Sequence, residues 1–294
     1  MRLTNPGTRI EILVDHESLV DFQRAGNRVL DDADHVHSCV VPEGPAALRS
    51  RHLKTRIRAV VQGAFLFLDA DTVVRKPLSR AWPESIDVAA CPNYCGVGLH
   101  EQLGADEAAY LNAMGWPVPA SYLNSGVIYF ADSPRAHVVG DTWQAVWTAG
   151  VHRTGRRIDQ PAFNHAVHSS GAALQELSSG WNSQIVRAPA TTRDAMIWHY
   201  YHSCERAVDT PFAIEAQRLS PRGSVDRSVA RQLVSAELPW ATDSWVRRRV
   251  VELIMRRGQV TPLMSMMLAR EYPQAAHLLG RASLTHLRRP FTRI

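Results

Sequence analysis

Short β-rich apolar runs alternate with stretches of helical spacing over the first two thirds of the chain. The runs predict strands at 9–15, 35–42, 64–69, 87–91, 125–130 and 195–201. Apolar residues three and four positions apart predict helices over 45–61, 134–150 and 159–171, the second of them ending at Gly150. This alternation is typical of an α/β domain, in which a mixed sheet is flanked by helices and ligands bind at the carboxyl ends of strands.

The pattern changes near residue 210, after which only helical spacing recurs. From 245 to 294 the chain carries ten Arg and two Glu, so this segment is strongly basic. We therefore expect an α/β domain over 1–210 and a basic helical C-terminal region over 211–294. The basic helices are a candidate for contact with an anionic membrane face or an acidic partner, and a solvated helix surface explains them equally well.

The composition excludes some classes of protein. The 294 residues are 45% hydrophobic and 21% charged, which is enough to bury a substantial core. No apolar stretch approaches the roughly 18 to 20 residues needed to cross a bilayer, and the N-terminal residues lack the regions of a secretory signal. We expect a cytoplasmic protein, peripheral to the inner membrane face if the basic helices bind there, and no nucleic-acid partner.

The segment FLFLDADTVV at 65–74 joins an apolar strand to two acids. Asp69 and Asp71 are costly at the end of such a strand unless something positive compensates them. A divalent cation would do so, because carboxylate oxygens suit Mn²⁺ or Mg²⁺ and the ion would bridge the protein to a diphosphate. On these residues two interpretations stay open, a metal-bound sugar-nucleotide site and a phosphatase nucleophile.

The order of several segments resembles that in glycosyltransferases of the GT-A fold, most nearly the retaining glycogenin and bacterial lipopolysaccharide galactosyltransferase group. These segments are FLFLDADTVV, YLNSGVIYF, DQPAFNHAV, WN and IWHYYHS, and they span about residues 9 to 205. The resemblance implies a GT-A-like, Rossmann-like domain that moves a hexose from a UDP-sugar to an acceptor hydroxyl with retention. It leaves open whether the acceptor is a saccharide, a lipid-linked sugar or a protein.

The resemblance also implies a metal site. Asp69 and Asp71 would hold Mn²⁺ or Mg²⁺ on the donor diphosphate, and Ala70 between them would lie against the donor. The third ligand in the family is a late histidine, which His199 matches. His202 stands where relatives have the glycine of a His-x-x-Gly turn at the donor, so the choice of metal-binding histidine stays open.

Two further segments supply the implied sugar contacts. In the family's Asn-Ser-Gly strand the polar side chains meet the donor sugar, which assigns Asn124 and Ser125 to this role, and a turn before a buried strand explains them almost as well. The Asp-Gln segment implies that Asp159 binds sugar hydroxyls while Gln160 lies opposite the leaving group. Asp159 also fits the N-cap of a helix, and both roles are compatible.

A basic residue near the donor is a further implication of the resemblance. Lys54, fifteen residues before Asp69, matches it, and Arg51 and Arg56 are alternatives. Its positive charge would stabilise the charge that develops on the diphosphate. Relatives begin with a strand and helix that form part of the nucleotide-base pocket, and this chain begins just past them. Either its start lies upstream or the unit is absent, so a non-catalytic sugar-nucleotide-binding protein is an alternative.

The acidic strand also fits the haloacid dehalogenase phosphatase signature, with Asp69 as nucleophile followed by Asp71 and Thr72. That fold needs a later lysine and a Gly-Asp-x-x-x-Asp loop. Gly140 and Asp141 supply the beginning of such a loop, but alanine occupies the position of its second acid. We therefore rank the phosphatase below the transferase.

Overall fold

The computed structural model describes residues 1–79, 81–93, 102–185, 192, 194–200, 216 and 226–236. Within them the strands are β1 (Glu11–Asp15), β2 (His35–Cys39), β3 (Phe65–Leu68), β4 (Thr72–Val74), β5 (Val88–Pro92), β6 (Leu123–Phe130), β7 (Leu174–Glu176), β8 (Ser183–Gln184) and β9 (Ile197–His199). The helices are α1 (His16–Arg24), α2 (Ala46–Thr55), α3 (Ile57–Val60), α4 (Ala105–Met114), α5 (Pro134–Thr154), α6 (Gln160–Ser169) and α7 (Arg227–Ser235). Short 3₁₀ turns lie at Arg28–Asp32 and Ser179–Trp181.

The largest sheet has the strand order β3-β6-β5-β7 and mixed polarity. β6 runs antiparallel to both β3 and β5, while β5 and β7 are parallel. A second sheet has the order β4-β9-β8, in which β9 is antiparallel to β4 and parallel to β8. A parallel pair, β1 and β2, forms the third. The predicted α/β class with a mixed sheet flanked by helices is confirmed.

β6 is the centre of the core, since every one of its residues is buried. Its side chains alternate between two faces, as the strand period of two requires. Ile128 and Phe130 pack in one apolar cluster with Trp143 of α5 and Phe163 of α6. The opposite face, which includes Tyr129, packs in a second cluster with residues around the β4 and β9 strands. Both faces of β6 are covered by other parts of the protein. Its sequence is therefore apolar on both faces after the polar residues at its start.

The predicted helix boundaries need two corrections. The helix predicted over 45–61 is interrupted at Arg56, which divides it into α2 and α3. The predicted end at Gly150 is wrong, because α5 continues to Thr154 and stops at Gly155, whose φ of 68° is left-handed. Gly150 is instead a contact point between helices, since a Cβ there would lie 1.6 Å from the Tyr110 hydroxyl.

One helix of the C-terminal region, α7, lies within the described residues. α7 lies where helical spacing predicts a helix, and Asp226 caps it by accepting hydrogen bonds from the backbone N–H groups of Ser228 and Val229. The basic segment 245–294 and its predicted helices lie outside the described residues, as does His202. The boundary at residue 210 stays a prediction. In the described part of the chain no helix combines the length and apolarity needed to cross a bilayer.

Candidate functional site

The two acids of the Asp-x-Asp motif occupy the turn between β3 and β4. The backbone N–H of Asp69 donates to the Gly126 carbonyl at 2.8 Å, which extends the β3–β6 pairing by one residue. Thr72 closes the turn by donating from its backbone N–H and its hydroxyl to the Asp69 carbonyl. Asp71 directly precedes β4, and Ala70 is exposed at the tip. The turn therefore fixes both acids relative to the sheet.

His199 is the last residue of β9 and pairs in register with Thr72 of β4, which brings its imidazole to the acids. Its Nε2 lies 3.2 Å from Asp71 Oδ1 and 4.0 Å from Asp69 Oδ2. One ligand atom from each of the three lies within 4.8 Å of the others. The predicted trio of Asp69, Asp71 and His199 is therefore assembled in the fold, and we call it the Asp-Asp-His cluster.

The Asp-Asp-His cluster fits a divalent ion. Octahedral Mg²⁺ binds oxygen at roughly 2.1 Å, so its ligand atoms lie roughly 3 to 4 Å apart. The spacing observed here, up to 4.8 Å, requires only small side-chain adjustments to reach that geometry. The two carboxylates are hard ligands and favour Mg²⁺ or Mn²⁺. An imidazole binds many transition metals and does not by itself distinguish among them.

The backbone of β6 leaves no room for a side chain beside the Asp-Asp-His cluster. A Cβ added to Gly126 would lie 2.2 Å from His199 Cε1 and 3.0 Å from Asp69 Oδ2. The glycine of the Asn-Ser-Gly segment is thus needed for close approach to these two side chains, and not for an unusual backbone angle. Because β6 runs antiparallel to β3, it brings its N-terminal end to the site. The expectation that ligand residues lie at carboxyl ends holds for β3 and is wrong for β6.

Lys54 joins the Asp-Asp-His cluster to a third acid. Its ammonium, buried to 6% exposure, lies 2.8 Å from Asp69 Oδ2 and 3.2 Å from Asp159 Oδ2. Arg51, one helical turn earlier on α2, pairs with Asp159 Oδ1 at 2.9 Å. Of the cations weighed from the sequence, Lys54 is the one that contacts Asp69, while Arg56 ends α2.

Asp159 directly precedes α6 at its N-cap position, but its side chain makes no capping hydrogen bond there. The carboxylate instead accepts a hydrogen bond from the Ser125 hydroxyl at 2.9 Å. Burial acts to raise the pKa of Asp159, but Lys54, Arg51 and this hydrogen bond outweigh it and hold the pKa below its ordinary value. Asp159 therefore occupies the predicted N-cap position, but its side chain does not cap the helix. The side chain faces the charged groups of the site instead.

Gln160 is held at both ends of its amide. Its Oε1 accepts from the Ser125 backbone N–H at 3.1 Å, and its Nε2 donates to Glu107 Oε1 at 2.7 Å. Burial raises the pKa of Glu107, an effect opposed by its hydrogen bonds from the Gly104 N–H and Gln160. Sequence reasoning missed Glu107. The available signal was its place three residues after Gly104, at the start of α4, where the Glu107 side chain accepts from the Gly104 N–H.

Asn124, the first polar residue of β6, lies inside a chain of amide hydrogen bonds. Its Oδ1 accepts from the Gly126 N–H at 2.9 Å and from Asn182 Nδ2 at 2.8 Å. Its Nδ2 donates to Asn93 Oδ1 at 3.1 Å. Asn182 in turn faces His199 Nδ1 at 2.9 Å. Sequence analysis did not identify Asn93, and it included Asn182 only as part of the WN segment without a role of its own, because each joins the site through contacts far apart in the chain. The predicted sugar contacts of Asn124 and Ser125 stay predictions.

Neither a protein-family model nor a curated protein sequence matches this chain. Solved structures similar in fold include mouse xyloside xylosyltransferase 1 in its apo form, at 12% identity and a TM-score of 0.42 over 68% of this chain and 86% of that one. The galactosyltransferase LgtC with donor and acceptor sugar analogues is similar at 11% identity and 0.40 over 82% and 100%. The glycosyltransferase GlyE of Streptococcus pneumoniae is similar at 12% and 0.40 over 80% and 66%. Likeness at these values concerns the course of the backbone and leaves the chemistry to the site itself.

Proposed function

We propose that the protein is a metal-dependent glycosyltransferase that moves a hexose from a UDP-sugar to an acceptor hydroxyl with retention. The observation that carries the proposal is the Asp-Asp-His cluster beside the buried ammonium of Lys54. Two carboxylates and an imidazole hold a divalent ion, and a cation next to them suits an anionic ligand. A sugar nucleotide presents both requirements in its diphosphate.

In this proposal Asp69, Asp71 and His199 hold Mn²⁺ or Mg²⁺. The bound ion supplies charge neutralisation for the departing diphosphate. Lys54, within reach of Asp69 and Asp159, adds a fixed positive charge on the same side. Asp159 remains ionised because its neighbours hold its pKa low, so it can accept hydrogen bonds from the hydroxyls of the donor sugar.

Retention, which the family resemblance implies, is proposed here without Gln160 as a nucleophile. An amide is a poor nucleophile, and that of Gln160 is further engaged by Ser125 and Glu107. A covalent sugar–enzyme intermediate at this side chain is therefore disfavoured. We propose attack by the acceptor hydroxyl on the face that the diphosphate leaves. The bond from the anomeric carbon to the diphosphate oxygen breaks, the bond to the acceptor oxygen forms, and the acceptor proton leaves with the diphosphate.

The residues that began the second phosphatase motif do not form a loop at the acids. Gly140 and Asp141, which began its candidate loop, lie in the interior of α5. Gly140 packs against the side chain of Arg58, since a Cβ there would lie 2.5 Å from Arg58 Cβ. Asp141 is exposed on the helix and is not part of a loop at the acids. The sequence signature of a phosphatase is therefore reduced to the strand and its acids.

The deciding experiment is calorimetric titration with UDP-hexoses, with and without Mn²⁺, together with an assay of UDP release. We expect binding and slow UDP release that both require the metal and are reversed by chelation, with ADP- and GDP-hexoses as comparison donors. Metal-dependent binding without turnover, even with a panel of acceptors, would identify a binding protein. Phosphate release from a generic phosphomonoester without nucleotide would identify a phosphatase. Either result contradicts the proposal.

A further inference from the structure

The orientation of the His199 ring is determined by buried amides. Asn182 follows the 3₁₀ turn at Ser179–Trp181 and directly precedes β8, the parallel neighbour of β9. This places its Oδ1 2.9 Å from His199 Nδ1. Asn182, Asn124 and His199 are 1%, 6% and 2% exposed, so these polar atoms are satisfied within the protein. Whether Nδ1 of the neutral ring carries the proton therefore depends on which way the amides face.

Backbone groups fix the direction of those amides. The Gly126 N–H can only donate, so the Asn124 atom that faces it at 2.9 Å must be the oxygen. The same oxygen faces the Asn182 side chain at 2.8 Å, so Asn182 must present its NH₂ group there. Its own oxygen is thereby turned to His199, whose Nδ1 must donate. Rotating either amide would set two donors against each other.

A second backbone group, at the Asn93 end of the chain of amides, requires the same orientation of the amides. The Gln102 carbonyl can only accept, and it receives Asn93 Nδ2 at 2.6 Å. The Asn93 oxygen then faces Asn124 and accepts from its Nδ2 at 3.1 Å. Both anchors lead to the same arrangement, so each one alone is sufficient to orient the chain of amides.

We propose that Asn124 and Asn182 are positioning residues that fix the Nδ1–H tautomer of His199 and so reserve Nε2 for a divalent ion. The proposal rests on the metal site of the proposed function. Nε2 is the ring nitrogen that faces Asp71 at 3.2 Å, so the tautomer sets its lone pair toward the acids. A partner at the second ring nitrogen of a metal-binding histidine normally serves to fix its tautomer and orientation.

The first test is a nitrogen-15 NMR spectrum of the histidine rings in metal-free protein without any nucleotide. The pH is raised until the ring signals no longer change, so that the neutral form of each ring is observed. A His199→Gln variant identifies the His199 signals among the 13 histidines. We expect the proton on Nδ1 and none on Nε2. A proton on Nε2 with bare Nδ1 overturns the proposal.

The second test distinguishes loss of the hydrogen-bond acceptor of Asn182 from loss of its packing volume. Asn182→Leu keeps similar volume without an oxygen, so we expect His199 to populate the Nε2–H form and Mn²⁺ affinity to fall about 10- to 100-fold. Asn182→Asp loses the donor to Asn124 Oδ1 but keeps an acceptor for Nδ1, so we expect Nδ1 to stay protonated in this variant. Asn93→Leu is the matched control, since it removes a buried amide but leaves the Gly126 anchor and hence the tautomer. An unchanged tautomer in Asn182→Leu contradicts the proposal.

The two tests remain decisive if other parts of the account fail. If Asn182→Leu does not fold, the wild-type spectrum and Asn182→Asp still decide which nitrogen is protonated. A protein with the Nδ1–H tautomer and Mn²⁺ binding but no UDP release would contradict the transferase and leave the positioning role intact. A protein that releases UDP with the proton on Nε2 would do the reverse.

Discussion

Arg58 and the Asp69–Asp71 pair are charged groups that the protein shields from solvent to different degrees. Arg58 is 1% exposed and donates to the carbonyls of Val61 and Gly63 at 2.7 Å each and of Ala131 at 3.2 Å. Its guanidinium also lies 4.8 Å from the centre of the Phe65 ring. The side chains of Asp69 and Asp71 remain 20% and 18% exposed beside His199.

The difference shows how to recognise a charge that serves the fold. The Nη1 and Nη2 groups of Arg58 donate to backbone carbonyls, and Nη2 also lies 3.7 Å from Asp132 Oδ1, while Nε is buried without a partner among the described residues. The guanidinium therefore joins α3 to the strand ends and is closed to ligands. The two acids belong to a turn with access to solution and to other ligand atoms. For these groups, loss of Arg58 should therefore affect stability, whereas loss of Asp71 should affect metal binding and chemistry.

The strongest test of this contrast is Asp71→Asn. Loss of one carboxylate from the Asp-Asp-His cluster should reduce metal-dependent UDP release by at least about 1,000-fold, since a metal contributes several kcal/mol to charge stabilisation. Thermal unfolding of the metal-free protein should change little. Asp141→Asn, at an exposed position of α5, is the matched control and should retain full activity. Equal activity of the two variants would contradict the site.

Arg58→Met should show the opposite signature. It keeps an apolar stem against Gly140 but leaves the carbonyls of Val61 and Gly63 without their donors. With about 1 to 3 kcal/mol for each buried group left unsatisfied, the free energy of unfolding should fall by about 3 kcal/mol. Denaturant unfolding measures the loss. Mn²⁺ affinity of the remaining folded protein should be unchanged, and a weaker affinity would remove the distinction drawn here.

Gly126→Ala sharpens the comparison because it changes the site without changing a charge. The new methyl group would displace His199, whose Cε1 lies 2.2 Å from the added Cβ position. We expect Mn²⁺ binding to weaken about 10- to 100-fold, comparable to loss of an outer-shell partner. Gly180→Ala is the control, since its nearest neighbours are 3.9 and 4.0 Å away. Calorimetric titration with Mn²⁺ should separate the two variants.

Asp159 links site and stability through pH. Its pKa in the folded protein lies below the ordinary value of 3.8, so its charge stabilises the fold above that value. This contribution is lost as pH falls from 3.8 through the folded pKa, because protonation then removes the attraction of Lys54 and Arg51. Denaturant unfolding between about pH 2 and 5 should show a steeper decline in wild type than in Asp159→Asn. Parallel profiles would contradict this assignment.

The smallest effect is expected at Arg156, which pairs with Asp106 on the surface. Its side chain is 40% exposed and that of Asp106 is 83% exposed, so solvent screens the pair. Arg156→Ala should change the free energy of unfolding by less than about 0.5 kcal/mol. A loss as large as that of Arg58→Met would mean that burial does not determine the contribution of a charge in this protein.

The sequence predicted the parts of the fold that depend on local pattern. The acidic strand end, the β6 run and the late strand with His199 were recognisable because each combines apolar residues with a distinctive polar end. β4 and β7 were missed because three residues carry too little periodicity. Gly150 was misread as a helix stop, since its role depends on Tyr110 of another helix.

In the candidate site, too, residues marked by a local motif were predicted, whereas residues that depend on distant contacts were not. Asp69 and Asp71 were predicted together with a late histidine, His199 or His202, and in the structure His199 lies beside the two acids. Glu107 was missed, and Asn182 was noted only within the WN segment without its role, because the contacts of a buried glutamate or asparagine depend on a partner from a distant segment. Lys54 was predicted near the donor, but its contact with Asp159 joins residues that no motif relates.

The pairing of β4 with β9 has a further consequence. Asp71 directly precedes one strand and His199 ends the other, and the Tyr200 N–H donates to the Asp71 carbonyl at 2.8 Å. An ion held by both side chains would link two segments that lie far apart in the sequence. Because it binds the folded arrangement of these side chains, it would stabilise the folded state relative to the unfolded chain. Amide hydrogens of β4 and β9 should therefore exchange more slowly when Mn²⁺ is present, which would report occupancy of the site without any substrate.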